Sequence, residues 1–331
     1  MKRHFFRRHE GRGSYDLFSS YTHFLPGFGG VVTLLILFLV GSLLGSLVNS
    51  GLLLLLGEEF SQQYGLLISY PISFVPAMLY ASAKSRVNEY TTAEVSLDKR
   101  LGKGDNRLML IAVAIFSTLA AAFAVEPITA LLPPMPDWLE ETMKLLLENT
   151  PLWATLLSVS VMAPLFEEWL CRGLILRGLL QKSSPLTAIT VSALVFAVIH
   201  MNPWQAIPAF CLGMLFGYVY YKTGSLKLTI LMHCVNNTLA ALCSRIPAFE
   251  NAETFRDVLS PWAYWNIFAA CVLIIASTLV YLINIPLSPA HDEGVRPQSQ
   301  DISQQDGPQD VRHNKLNDVD RLCSRKKPSG S

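Results

Sequence analysis

Three charged side chains stand close together in the stretch APLFEEWLCRG at residues 163–173, namely Glu167, Glu168 and Arg172. The stretch lies within an apolar run, and an unpaired charge in a bilayer costs about 2.5–3.5 kcal/mol or more. Because Glu168 and Arg172 are four residues apart, a helix places them on one face, where they neutralise each other. Glu167 is rotated by about 100° from Glu168 and has no local partner. A buried carboxylate of this kind can take a proton from water.

Two other apolar runs supply polar side chains that suit the same chemistry. His200 ends the run VFAVIH, and His233 shares a helix face with Asn237 in the run LMHCVNNTL. At about 1.5 Å of rise per residue, Glu167 and His200 lie roughly 20 and 22 Å from the inner ends of their helices. Asn237 lies roughly 18 Å and His233 roughly 12 Å from the inner end of theirs. The four side chains can therefore meet if the three helices pack together.

This set of side chains is suited to the hydrolysis of a peptide bond. Glu167 can activate a water molecule, and an imidazole can share that task or stabilise charge. Donors on the face of His233 and Asn237 can hold the oxyanion of a tetrahedral intermediate, which is worth about 2.7–4 kcal/mol per donor in soluble proteases. We therefore predict a hydrolytic site built from three helices.

A metal ion is the alternative way to activate the water. One glutamate and two histidines with an open coordination position are ligands typical of hydrolytic zinc sites, and here they would be Glu167, His200 and His233. The sequence lacks the H-E-x-x-H spacing of many such sites. The spacing leaves open whether the carboxylate acts alone or with a divalent metal such as Zn²⁺. No other cofactor is expected.

The helices that position these residues have the composition of membrane spans. Hydrophobic residues make up 51% of the chain and charged residues only 15%, whereas soluble proteins average about 25% charged residues. Apolar runs of spanning length alternate with short charged connectors. We predict an all-α polytopic membrane protein with about eight transmembrane helices, at residues 30–56, 65–83, 108–132, 152–180, 185–201, 204–221, 226–244 and 262–285.

The basic residues predict how these spans are oriented. With a cytoplasmic N-terminus, eight spans return the C-terminus to the cytoplasm, and only Lys144, Arg245 and Arg256 fall in outer segments. The outer segments instead carry the acidic patches GEEF and DWLEET. We expect a multi-pass protein of a bacterial inner (plasma) membrane with both termini in the cytoplasm. Basic residues follow the membrane topology, so no nucleic-acid partner is expected.

The chain divides into three segments by composition. Residues 1–29 form a basic cytoplasmic N-terminal segment, residues 30–285 the membrane domain, and residues 286–331 a polar tail that is expected to be disordered. The chemistry-bearing core lies at about 150–245. The six cysteines of the whole chain include no C-x-x-C pair, so the chain is expected to use them as small apolar residues.

Smaller features predict local structure. Residues 133–150 predict a short amphipathic helix at the outer surface, with Trp138 as an interfacial anchor. Two pairs of glycines spaced four residues apart predict close helix packing. These pairs are Gly41 with Gly45 and Gly213 with Gly217.

Three motifs follow one another in the core. EEWLCR fits E-E-x-x-x-R, FAVIH fits F-x-x-x-H, and HCVNN fits H-x-x-x-N. In order and separation the set resembles the CAAX protease and bacteriocin-processing family, which includes the type II CAAX prenyl endopeptidases and Abi-like proteins. The resemblance implies an intramembrane endopeptidase acting on a membrane-associated peptide or a prenylated or otherwise lipidated protein. The family is labelled as metalloproteases, although a glutamate-dependent mechanism without metal is also argued for it.

The resemblance also implies a role for each motif residue. All motif positions are kept in this sequence. The implied roles are water activation by Glu167 and His200, oxyanion binding by His233 and Asn237, and support of the first glutamate by Glu168 and Arg172.

Functions of two other classes remain open. A proton-coupled transporter would use Glu167 and the histidines as a relay and would show inverted repeats and broken helices; the sequence shows no convincing repeat. A non-catalytic scaffold or bacteriocin-immunity protein of the same fold would act by binding partners. Its phenotype would survive the substitution Glu167→Gln.

Overall fold

The computed structural model describes residues 19–99, 101, 105–145, 150–249 and 254–287. Within these ranges the chain forms helices and turns, and no β-strand. The predicted polar tail lies outside the described residues apart from its first two positions, as do most of the N-terminal segment and Cys323. The protein is an all-α polytopic membrane protein, as predicted.

Each of the eight predicted runs falls on one helix. Six helices are long and apolar enough to cross a membrane, whereas α6 is a shorter apolar helix and α7 is not among the six. The number of spans and the orientation of the termini therefore stay predictions. The helices are α1 Phe28–Leu56, α2 Glu58–Asn88, α3 Asn106–Thr129, α4 Asp137–Lys144, α5 Leu152–Leu180, α6 Pro185–Val198, α7 Pro203–Thr223, α8 Leu226–Cys243, α9 Phe255–Val258 and α10 Pro261–Asn284.

Helix α4 is the amphipathic helix predicted within residues 133–150. It begins after Pro136, and Glu140 pairs with Lys144 at 2.7 Å on its exposed side. Trp138 is 68% exposed, whereas Leu139 is buried. The helix thus has the two faces that the sequence predicts, and its place at the outer surface stays a prediction.

The helices around the site are connected by short turns, and the residues at the ends of these turns favour the start of a helix. Helices α6, α7 and α10 each begin at a polar cap followed by proline, whose fixed φ suits the first helical position. The caps Ser184, Asn202 and Ser260 accept backbone N–H groups at 3.2, 2.9 and 3.4 Å. Helix α7 ends at Gly224, where φ is 66° and a residue with a side chain would be strained. These turns make α6, α7 and α8 consecutive neighbours.

Glycines let the helices approach closely at two contacts, as predicted. A Cβ on Gly213 would lie 3.1 Å from Ala193 of α6, and a Cβ on Gly217 would lie 3.0 Å from Ile189. A Cβ on Gly41 of α1 would lie 2.0 Å from the carbonyl oxygen of Ser73 in α2. Only glycine allows backbones this near each other.

Helix α5 lies in the middle of the packing and is not regular along its length. Two stretches, Leu156–Met162 and Trp169–Leu176, form π-helical turns, and Ala163–Glu168 between them is α-helical. Every residue of Trp169–Leu176 is buried. Such turns are rare and recur at functional sites. Here they flank the two glutamates directly.

Candidate active site

Glu168 and Arg172 form the predicted ion pair. Arg172 Nη1 donates to Glu168 Oε1 at 2.7 Å, and both side chains are 0% exposed. The guanidinium also donates from Nη2 to the carbonyl oxygen of Gly213 at 3.0 Å. Its Cζ lies 4.5 Å from the centre of the Phe196 ring. Arg172 therefore neutralises Glu168 and ties α5 to α6 and α7.

The same glutamate holds His233 of α8. Glu168 Oε1 lies 3.1 Å from His233 Nδ1. An ionised carboxylate only accepts hydrogen bonds, so this contact assigns a proton to Nδ1. The other ring nitrogen, Nε2, lies 3.9 Å from Glu167 Oε2. One imidazole thus stands between the two adjacent glutamates.

Glu167 is buried, with 6% of its surface exposed. Its Oε1 accepts a short hydrogen bond from the hydroxyl of Tyr70 in α2. Its Oε2 has no hydrogen-bond partner among the residues that the structure describes. A gap of 3.9 Å between two polar atoms is longer than a direct hydrogen bond and suits a bridging water. The free oxygen of Glu167 therefore faces His233 Nε2 without a direct hydrogen bond.

His200 lies in the turn after α6 and is partly exposed. Its Nδ1 lies 2.7 Å from the carbonyl oxygen of Phe196, which assigns the proton to Nδ1 and leaves Nε2 as an acceptor in the neutral ring. The Phe196 ring stands edge-on to His200 at 5.1 Å and to His233 at 5.2 Å. No hydrogen bond or ion pair joins His200 to Glu167 in the described part of the chain.

Asn237 connects α8 to the first π-helical turn of α5. Its Nδ2 donates to the carbonyl oxygen of Val159 at 2.8 Å, and its Oδ1 accepts from Asn236 Nδ2 at 3.1 Å. An amide nitrogen carries two protons, so one donor of Asn237 remains beyond the bond to Val159. The roles predicted for His200, His233 and Asn237 stay predictions.

The predicted metal set does not come together as a ligand cluster. Among the described residues, no group of three or more His, Cys, Asp or Glu side chains is placed to hold a metal ion. The residues as placed do not fit a preformed zinc site, so the reaction is derived below without a metal.

Two residues near the site, Tyr70 and Arg177, were not predicted from the sequence to have a structural role there. Tyr70 begins a short 3₁₀ stretch, Tyr70–Phe74, at the Tyr-Pro step of α2; the only signal was a polar aromatic beside a proline within an apolar run. Arg177 is buried near the C-terminal end of α5, and its hydrogen bonds within the described part of the chain go to carbonyl oxygens. These belong to Tyr21, Thr22, Phe24, Val95 and Gly173.

Comparison with known proteins identifies the segment that holds the site. Residues 149–239, a little over a quarter of the chain, match the family model described as type II CAAX prenyl endopeptidase Rce1-like. No curated protein and no solved structure matches the chain. The matched segment includes all seven motif residues. This match confirms the resemblance drawn from the three motifs, and the Rce1-like family is a family of proteases.

Proposed function

We propose that this protein is an intramembrane endopeptidase in which Glu167 activates the attacking water. The observation that carries the proposal is the free Oε2 of Glu167, which lies 3.9 Å from His233 Nε2 in a buried site. A general base must reach its water at hydrogen-bonding distance, so this mechanism requires a water to enter between these two atoms. The match of residues 149–239 to a protease family supports the same reaction class.

The proposed reaction uses the side chains as they are placed. A water between Glu167 Oε2 and His233 Nε2 gives its proton to Glu167, and its oxygen attacks the carbonyl carbon of the peptide bond. Asn237 Nδ2 keeps one N–H beyond its bond to Val159 and is the candidate donor to the resulting oxyanion, whereas the Nδ1 protons of His233 and His200 are already donated to Glu168 and to the Phe196 carbonyl oxygen. The C–N bond then breaks, and the proton held by Glu167 passes to the leaving amine. Glu168 and Arg172 act by holding His233.

The substrate that we propose is a membrane-associated peptide or a prenylated or otherwise lipidated protein. A site buried among spanning helices meets substrates that are themselves held at the bilayer. The proposed setting is a bacterial inner (plasma) membrane with eight spans and both termini in the cytoplasm. The distribution of lysine and arginine between alternate connectors supports this orientation.

The decisive experiment compares Glu167→Gln with a matched change at another buried glutamate. Proteomics of cells carrying wild type or Glu167→Gln identifies peptides that stay uncleaved, and purified protein in nanodiscs is then tested on them. We expect Glu167→Gln to lower kcat about 10²–10⁴-fold with an unchanged melting curve. The control is Glu126→Gln, because Glu126 is also buried but lies in α3 and accepts from Phe255 N.

The outcomes separate the rival functions. Glu167→Gln protein that still cleaves at the wild-type rate refutes the mechanism. If cells carrying Glu167→Gln have the same peptides and the same phenotype as cells carrying wild type, the protein has a scaffold or bacteriocin-immunity role. Proton-coupled uptake that is lost in Glu167→Gln indicates a transporter. Metal analysis and cleavage after chelation test the metal alternative: we expect cleavage to survive chelation, and a stoichiometric zinc with loss of cleavage would make Glu167 a ligand.

A further inference from the structure

Helix α1 carries a polar stripe on one face, although its sequence is otherwise strongly apolar. The stripe residues are spaced by four, three and one positions, which places them together on a helix. Ser42 and Asn49 of the stripe are partly buried, whereas Ser46 and Ser50 are exposed, as are Leu43, Leu47 and Leu54 outside the stripe. Polar residues within membrane spans face the protein interior or a hydrated cavity. The stripe consists of Ser42, Ser46, Asn49 and Ser50.

The stripe lines a cavity of about 390 Å³. The opposite wall comes from α2, with Ser69, Tyr70 and Ser73. A water molecule takes about 30 Å³ in the liquid, so the cavity has room for about 13 waters. Seven of the cavity's twelve lining residues carry a hydroxyl or amide group, and a bound water needs two or more such polar partners. The cavity is therefore suited to water.

One end of this cavity meets the candidate active site. Tyr70 lines it and also donates its hydroxyl proton to Glu167. Ile199 and Met201, on either side of His200, form another part of the wall. The cavity thus reaches the hydrogen-bond partner of Glu167 and the two chain neighbours of His200.

The other end leads toward the turn between α1 and α2. A second cavity of about 470 Å³ lies there and shares Asn49 with the first. Glu58, Ser61 and Gln62 contribute to its lining. Asn49 accepts a hydrogen bond from Ser61 Oγ at 3.3 Å. Asn49 is therefore the residue that lines both cavities.

We propose that these two cavities form the path by which water, the second substrate of hydrolysis, reaches Glu167, and that Asn49 is its narrow point. This inference rests on the proposed function, since each peptide bond hydrolysed consumes one water molecule. Apolar side chains and lipid surround most of α1, so water cannot be replenished through its leucine face. The polar stripe provides a route from the α1–α2 turn to Tyr70.

Hydration of the path is tested without any activity assay. In protein lacking its native cysteines, Ser46→Cys in nanodiscs is treated with a charged methanethiosulfonate, which reacts with thiolate in water. The control is Leu47→Cys, the adjacent position, which is 68% exposed but lines neither cavity. We expect Ser46→Cys to react and Leu47→Cys to stay unmodified. A Ser46→Cys variant that reacts no faster than Leu47→Cys overturns the path, whatever the enzyme cleaves.

The link between the path and catalysis is tested by closing it. We expect Asn49→Leu to lower kcat by about tenfold or more with KM unchanged, because substrate binding is untouched. Asn49→Ser keeps a polar and smaller side chain, so its kcat should stay near that of wild type. A kcat that is unchanged in Asn49→Leu overturns the proposal. A raised KM with unchanged kcat also overturns it, because the cavity would then admit peptide rather than water.

Discussion

For the ion pair of Glu168 and Arg172, we predict that the stability lost through one substitution is largely restored by a second. Arg172→Met removes the charge but fills much of the same space. Glu168 is then left buried at 0% exposure without its cation, and breaking a buried pair in this way costs about 3–5 kcal/mol. The carbonyl oxygen of Gly213 also loses its donor, which costs about 1–3 kcal/mol when no water replaces it. We expect severe destabilisation.

The second substitution, Glu168→Gln, removes the uncompensated charge. Replacing both members of a buried pair is often close to neutral, so we expect Arg172→Met with Glu168→Gln to regain most of the lost stability. The glutamine oxygen can still accept from His233 Nδ1, as the carboxylate does at 3.1 Å. Cleavage should therefore return in part together with the fold.

Thermal unfolding in one detergent and cleavage of one peptide measure both effects. Circular dichroism gives the melting temperature of wild type, Arg172→Met and the double variant, and initial rates are taken well below the lowest of them. The reasoning is refuted if Arg172→Met is as stable as wild type. It is also refuted if the double variant is no more stable than Arg172→Met, because the buried charge would then not be the cause.

Three further predictions concern residues outside the motifs. Tyr70→Phe removes a hydrogen bond to Glu167, worth about 1.5–3 kcal/mol for a charged acceptor. We expect this variant to lower kcat about 10- to 100-fold at constant KM. Unchanged steady-state kinetics would show that Tyr70 does not hold Glu167. Gly41→Ala should destabilise the folded protein by about 1–3 kcal/mol. Gly51→Ala, with nothing within 4 Å of its Cβ, should stabilise it by about 0.5–1 kcal/mol. Melting temperatures of the two variants that shift in the same direction would contradict the packing at Gly41. Arg177→Met, which leaves its buried carbonyl partners without a donor, should destabilise by more than about 3 kcal/mol. The exposed Lys182→Met, which loses one bond to Leu25, should stay within about 1 kcal/mol of wild type, and chemical unfolding compares the two.

Much of the fold follows from the sequence because apolar runs in a membrane protein have few alternatives to helix. All eight predicted runs are helical. The ion pair between Glu168 and Arg172 was also predictable, since it depends only on a spacing of four residues. Packing at Gly213 followed from the same kind of local pattern. These features require no knowledge of how distant helices meet.

The parts that escaped prediction depend on contacts between distant segments. Tyr70 is 97 residues from Glu167, and no periodicity connects them. The π-helical turns on either side of Glu167 depart from 3.6 residues per turn, so side-chain directions computed for a regular helix do not hold there. Arg177 counted only as one of the basic residues near the inner surface, whereas it is buried and binds carbonyl oxygens of two other segments.

The arrangement around His233 explains why the proposed activation of water uses two adjacent glutamates and not one. Glu168 is neutralised by Arg172 and accepts from Nδ1 of the imidazole, which assigns that nitrogen as the donor. In the neutral ring Nε2 is then an acceptor, and it is the nitrogen that faces Glu167. A water placed between them can donate one proton to each group, which leaves its lone pairs free for a carbonyl carbon. If Glu167 alone were present, the ring could turn or take the other tautomer, and the water would lose its second acceptor. The first glutamate can therefore act as the base because the second one fixes the histidine.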